Sequence, residues 1–301
     1  MLQSPSLRTI VPVAGLMAAL ACLAPAAASG QAVERAIYTS VLDEKGAPVP
    51  TVSPADVVVR EDGVAREVLR IVPATEPMEI AVLVDTSAAL APDAVPVRDA
   101  LTAFATTMAA ANRLSIVGFG ERPTILADVT SDVEALRKGI SLIFPREGAG
   151  AYMLDAVLEV SRGFQKRETA RPVIVVVVVD GVEFGTFTYD RVLDALKASG
   201  AAMFVIDLSR PGGDDLRSDE LRNRDVLIAR GTTETGGERW NLVTSLGLSK
   251  TLTTLADELL HQVRVIYARP QTLIPPEKVT ITATRPGLTV RGTPVKPSKG
   301  A

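Results

Sequence analysis

The sequence predicts an α/β protein: a doubly wound, mostly parallel sheet with helices on both faces, plus a small β-rich subdomain. Three observations predict it. First, the stretches Met78–Leu90 and Arg171–Gly181 each hold an apolar run that leads into an aspartate, Asp85 or Asp180. Apolar runs of strand length without polar alternation suit strands buried on both faces. Second, strand-like and helix-like stretches alternate from Glu79 to about Tyr267, the pattern of repeated βα units. Third, the flanking stretches 33–74 and 270–294 are β-patterned, and each is too short to close a core alone.

Composition narrows the function classes. The chain has 301 residues, of which 47% are hydrophobic and 22% charged, with a formal net charge of -3. This is ordinary for a globular core. No basic stripe is present, which argues against a nucleic-acid partner. Aromatic residues are too few, at 4%, for a base- or sugar-stacking surface. Residues 1–28 read as a signal peptide: Arg8, then an apolar stretch Ile10–Leu23, then small residues Ala26, Ala27 and Ala28. Two other readings stand beside it. One is an uncleaved anchor, although the stretch is short for a span. The other is lipidation of Cys22, for which Leu20 lies one place from its lipobox position. Cleavage removes the single cysteine, so the mature chain would be exported without a disulfide. No membrane span is expected after cleavage, and the expected location is periplasmic or extracellular.

The elements follow in order. Ala36–Val41 alternates and is followed by a turn at Asp43-Glu44-Lys45-Gly46. Val57–Arg60 is a strand closed by Glu61-Asp62-Gly63, and an Asp-Gly between β-branched residues signals a hairpin. Glu67–Val72 is the next strand. After Asp85, Val97, Leu101, Phe104 and Met108 mark one face of a helix over 93–111. Leu114–Phe119 reads as a strand and Thr124–Val129 as its antiparallel neighbour. Ser131-Asp132-Val133-Glu134 carries a capping-box pattern. Helices are expected over 152–165, 190–199, 221–228 and 249–260, and strands at 202–208, 239–243 and 263–267. Lys278–Thr284 and Leu288–Arg291 complete the β-rich tail. The residues from 295 to 301 read as disordered.

Open α/β sheets bind ligands beyond the carboxyl ends of their strands. Asp85 and Asp180 occupy those ends, with Ser87 two residues after the first. Asp85-Thr86-Ser87-Ala88-Ala89 after a buried strand resembles the von Willebrand factor type A family, in particular its bacterial exported relatives. The segments Asp43–Val49, Val59–Gly63 and Thr235-Gly236-Gly237 are similar to features of that group. The resemblance covers about 38–291. It implies a metal-ion-dependent adhesion site of the form Asp-x-Ser-x-Ser, completed by a later threonine and a later aspartate. Here Asp85, Ser87 and Asp180 match, whereas Ala89 and Ala151 stand where hydroxyl ligands are expected. Magnesium requires about six oxygens in near-octahedral geometry, so the resemblance implies a partial, degenerate site. No cofactor is expected, beyond weak magnesium or manganese binding. The expected binding surface is formed by Asp85, Ser87, Gly150, Asp180 and Gly181, and the expected partner is a protein.

Simpler roles compete at each residue. Asp85 suits a turn cap as well as a ligand, and Ser87 a turn hydroxyl. Asp180-Gly181 also suits a plain turn, and Asp155 suits stabilisation of a helix N-terminus. Glu183 offers one further oxygen. Catalysis finds little support. His261, the single histidine, sits at a helix end away from any nucleophile-elbow pattern. No Cys/His cluster suits zinc. Ser87 occupies the place where a haloacid dehalogenase-like phosphatase has its second aspartate. Gly148-Ala149-Gly150 lacks the third glycine of a dinucleotide loop, which is Met153 here. The sequence therefore points to an exported, non-catalytic interaction or scaffolding protein. A magnesium-dependent adhesin that binds a partner carboxylate is the alternative, and a phosphoryl-transfer hydrolase is a weaker one.

Overall fold

The structure, a computed structural model, describes residues 32–208 and 218–296 together with Met1. Residues 2–28 of the signal reading, Cys22 among them, and residues 297–301 of the tail read as disordered lie outside the described residues.

The main sheet has six strands in the order β10-β9-β8-β5-β6-β7. These are β5 (Glu79–Val84), β6 (Arg113–Gly118), β7 (Thr124–Thr130), β8 (Pro172–Val179), β9 (Ala202–Leu208) and β10 (Arg239–Asn241). All neighbours are parallel except β6 and β7. The apolar runs are buried throughout because successive side chains feed opposite faces. Ile80, Val82 and Val84 join one core with Val175 and Val177, while Ala81 and Leu83 join the other with Val176 and Val178. The first core is covered by α1 (Ala94–Ala109), α2 (Val133–Ser141) and α6 (Leu248–Leu260). The second is covered by α3 (Met153–Arg167), α4 (Tyr189–Ser199) and α5 (Asp219–Thr235). The chain is thus doubly wound.

Two antiparallel sheets flank this unit. One runs β13-β1-β11-β4, formed by β13 (Thr289–Pro294), β1 (Ala32–Leu42), β11 (Val263–Pro270) and β4 (Val68–Pro73). The other runs β12-β2-β3, formed by β12 (Val279–Ala283), β2 (Val57–Glu61) and β3 (Val64–Arg66). Asp62 and Gly63 turn β2 into β3 with φ of 48° and 84°, the positive values that a tight hairpin requires. Ile37, Val59, Val265, Tyr267 and Ile281 form the small core between the sheets.

Several sequence expectations shift. The strand at 263–267 belongs to the antiparallel sheet, not to the α/β unit. Its residues Val265 and Tyr267 face the small core, and β1 and β4 hold its two edges. The helix expected at 221–228 runs from Asp219 to Thr235. Ser218 caps it, and the hydroxyls of Thr232 and Thr235 bond back to Ile228 and Gly231. In α2 the cap is Asp132 alone, whose carboxylate accepts N–H bonds from Glu134 and Ala135. At the tail, Val295 N–H donates to Ala36 C=O at 2.9 Å, and Lys296 Nζ donates to Ala198 C=O.

Candidate functional site

The carboxyl edge of the main sheet is knitted from the loops after β5, β6, α2 and β8. Thr86 is its hub. Its hydroxyl accepts from Gly120 N–H at 2.8 Å and its carbonyl accepts from Arg146 N–H at 3.0 Å. Ala88 N–H donates to Ala149 C=O at 3.1 Å. Ala151 donates to Val182 C=O at 2.7 Å and accepts from Phe184 N–H at 2.8 Å, tying the Gly150 loop to the segment after Asp180.

Asp85 directly follows β5 and is fully buried. Its Oδ1 accepts from Ser87 N–H at 2.8 Å, closing an Asx turn, and its Oδ2 accepts from Val179 N–H at 3.4 Å. The carboxylate therefore joins the ends of β5 and β8. Burial pushes its pKa up, while these N–H donors and the charge of Arg224 pull it down. Ser87 Oγ is buried beside the Asp85 carboxylate, and its hydroxyl helps to pull that carboxyl's pKa down. Beside it, a Cβ on Gly181 would fall 2.8 Å from Ala89 Cβ and 3.7 Å from Ser87 Oγ. Asp85, Ser87, Ala89 and Gly181 are thus neighbours. Ala151 is buried and pairs with both Gly120 and Glu183. Gly150 packs on the ring of Phe184. Asp180 is exposed to solvent at the same edge.

Fitness for a divalent ion follows from these atoms. The side-chain oxygens at this edge are Ser87 Oγ, the Asp85 carboxylate, which accepts two backbone N–H bonds, and the exposed Asp180 carboxylate, whereas Ala89 and Ala151 offer only methyl groups. Among the described residues no group of three or more His, Cys, Asp or Glu side chains could hold a metal. The arrangement does not fit magnesium, which needs about six oxygens.

Two charged residues at this edge go beyond that motif. Glu183 is buried; its Oε1 accepts from Met153 N–H at 2.9 Å, and its Oε2 has no partner. Burial pushes its pKa up to about 8, against the pull of Arg224. Arg224 of α5 is buried too. It was not legible as a site residue, because a lone arginine in a charged helix carries no motif. Asp155, expected at a helix start, lies in the first turn of α3. Its carboxylate accepts from Thr186 N–H at 2.9 Å and from Thr186 Oγ1 at 2.7 Å, pinning the loop before α4. His261 caps the end of α6 at an exposed position.

Residues 80–183 match the model of the von Willebrand factor type A domain. The chain carries a domain of that family, in which Asp85, Ser87, Ala151 and Asp180 all lie. No curated protein matches the chain. Solved structures similar to it include a von Willebrand factor type A protein from Catenulispora acidiphila, at 10% identity over 88% of this chain and 74% of that one, with a TM-score of 0.46. The vWF domain of the type V pili tip protein Mfa5 from Porphyromonas gingivalis is similar at 11% identity, 61% and 95% coverage and a TM-score of 0.47. The conserved hypothetical protein BatB from Bacteroides thetaiotaomicron is similar at 16% identity, 60% and 98% coverage and a TM-score of 0.45.

Proposed function

We propose that this is an exported, non-catalytic protein that binds a protein partner through the carboxyl edge of its sheet, without a divalent cation. The observation that carries the reading is a rigid, partly apolar rim around a closed site. Val182 is 57% exposed and Phe184 49% exposed, next to the exposed Asp180. Exposed aromatic side chains held by a fixed scaffold are common anchors of protein interfaces. Phe184 is held by Gly150 on one side and lies 6.1 Å from the ring of Tyr152. The metal-free part of the reading is supported by Ala89, Ala151 and the engaged oxygens of Asp85. Export is supported by the signal pattern in residues 1–28. Among the described residues no helix is long and apolar enough to cross a membrane. The non-catalytic part is supported by the single histidine at an exposed helix end and by the lack of a nucleophile-base pair in the sequence motifs.

The magnesium-dependent adhesin remains the second reading, favoured by the retained Asp85, Ser87 and Asp180. Thermal unfolding of the mature chain from Ser29 separates the two. A metal ion at 100 times its dissociation constant stabilises by about 2.7 kcal/mol, a shift of several degrees. The expected result is the same midpoint in EDTA and in millimolar magnesium or manganese. A shift that disappears in Asp85→Ala would establish the adhesin instead.

A further inference from the structure

The antiparallel sheet β13-β1-β11-β4 is joined to the amino edge of the main sheet. Arg291 of β13 pairs with Glu258 of α6. Arg171, just before β8, donates to Gln262 at 2.8 Å and lies over the Tyr38 ring of β1. β11 starts at Val263, beside that joint, and runs out to Pro270. β1 is antiparallel to it, so Ala32 opposes Pro270 at the free end. Seven steps of about 3.4 Å carry that end roughly 24 Å from the joint. The carboxyl edge, with Val182 and Phe184, is at the opposite end of the molecule.

The free end carries an apolar tip that the fold holds out into solvent. Ile274 is 86% exposed and Leu273 41%, within the uncharged run 271–276 that links β11 to β12. Arg269, itself buried, donates from Nη2 to the carbonyls of both Leu273 and Ile274. Leu273 N–H donates to Pro270 C=O at 3.3 Å. Arg269 is fixed in turn by Glu61 at 3.2 Å. On the far side of Pro275 and Pro276, the Asp62 carboxylate accepts from Glu277 N–H at 3.3 Å and Lys278 N–H at 2.8 Å. The loop is thus pinned on both sides while its two aliphatic side chains stand in water. Grouped apolar side chains on a fixed support mark a contact with protein or with lipid.

The point where the chain enters decides between the two. Ala32 lies at this same end, nine residues after Leu23, the last residue of the apolar stretch Ile10–Leu23. Nine extended residues span at most about 30 Å. A leader of that pattern enters a bilayer during export, and while attached it holds this end of the molecule against the lipid surface. The tip also lacks the aromatic and arginine side chains that anchor protein interfaces. We propose that Leu273 and Ile274 form a lipid contact, which rests the β-rich end on a bilayer and turns the carboxyl edge away from it. Because the run 271–276 has no charge, the contact is made with the acyl boundary and not through headgroup charge. This goes beyond the partner reading above and does not depend on it.

Flotation of the mature chain from Ser29 with phosphatidylcholine vesicles, at lipid on the order of millimolar, tests this. Wild type is expected to float, and the double variant Leu273→Ser, Ile274→Ser to lose about tenfold or more in partitioning. Both side chains are exposed, so the variant is expected to keep its thermal midpoint. Binding is expected to persist in about 0.5 M salt, which screens charge. The mature chain has no cysteine, so a dye on Thr272→Cys or on Ser249→Cys, at the start of α6, reports one end each. The first is expected to shift to the blue on vesicles and the second to stay unchanged. No flotation of wild type, equal flotation of the double variant, or binding that requires phosphatidylglycerol and is lost in salt overturns the proposal. So does a blue shift at 249 alone. A wild-type dimer that the double variant makes monomeric, without flotation, also overturns it and gives the tip to a second copy of the chain.

Discussion

Gly150 lies so close to Phe184 that a Cβ at position 150 would fall 2.4 Å from the ring Cδ2. It would also fall 2.9 Å from Val182 C=O. Gly150→Ala must therefore push the ring off its seat. Overpacking of this kind costs about 1–3 kcal/mol. The same variant is expected to weaken partner binding by about tenfold or more, as Phe184→Ala does by removing the anchor. Phe184→Ala itself changes stability little, because half the ring is in solvent. The check is a thermal midpoint alongside binding of the partner to both variants. Full binding by Gly150→Ala would show that the seat of Phe184 is irrelevant to recognition.

Glu183 gives a pH dependence whose sign can be worked out. Its ordinary pKa of 4.5 rises to about 8 in the folded protein because burial disfavours the charge. Below about 4.5 both folded and unfolded chains hold this proton, and the group has no effect. Between 4.5 and 8 the unfolded chain releases it while the folded one keeps it, so stability falls as pH rises. At about 1.4 kcal/mol per unit, the loss is roughly 3–5 kcal/mol by pH 8. Glu183→Gln retains an oxygen for the Met153 N–H and cannot ionise. Relative to wild type it is expected to gain stability steadily from pH 5 to pH 8, measured as urea midpoints. Parallel curves for the two proteins would rule the effect out.

Much of the α/β unit was legible because its signals are local. The valine run of β8 and the apolar run of β5 leave no polar face, so both had to be central strands. Asp85 and Ser87 were legible from position alone, at the end of such a strand. What the sequence did not reveal depended on long-range pairing. Val263–Tyr267 reads equally well as the last strand of either sheet, and only its neighbours β1 and β4 decide the matter. The reach of α5 to Thr235 was hidden by its threonines, weak helix formers whose hydroxyls here bond back along the helix.

Gly237, just after α5, and Gly46, after β1, bear unequal loads, which makes a sharp comparison. Gly237 N–H donates to Thr232 C=O at 2.9 Å, and the next residue's carbonyl, Glu238 C=O, accepts from Val205 N–H at 2.8 Å. A Cβ at 237 would fall 1.8 Å from the backbone oxygen of Met203. Backbone cannot step aside as a side chain does, so Gly237→Ala is expected to cost more than about 3 kcal/mol. Gly46 has φ of +78° but nothing within 4 Å of the added Cβ. Gly46→Ala is expected to cost about 1 kcal/mol, from backbone conformation alone. Urea unfolding of both variants checks the ranking, and equal losses would contradict it.

The N-terminal segment is expected to be indispensable to the α/β unit rather than an appendage. β1 covers one edge of β11 and β4 the other. Deleting residues 33–74 would strip both edges and leave Val265 and Tyr267 without their small core. It would also remove Glu61, the carboxylate that accepts from Tyr267 Oη at 2.9 Å and pairs with the buried Arg269 at 3.2 Å. Arg269 would lose that carboxylate partner along with the strands that bury it. Farther in, Arg171 donates to the carbonyls of Ala74 and Glu76 and stacks on Tyr38, 4.9 Å from the ring centre, so the deletion reaches the start of β8. The truncated chain is expected to aggregate or to lose its cooperative transition, as read by size-exclusion chromatography and circular dichroism. Limited proteolysis of the intact protein is expected not to release 33–74 ahead of the rest. A truncated chain that stays monomeric with an unchanged thermal midpoint would show that the two units fold independently.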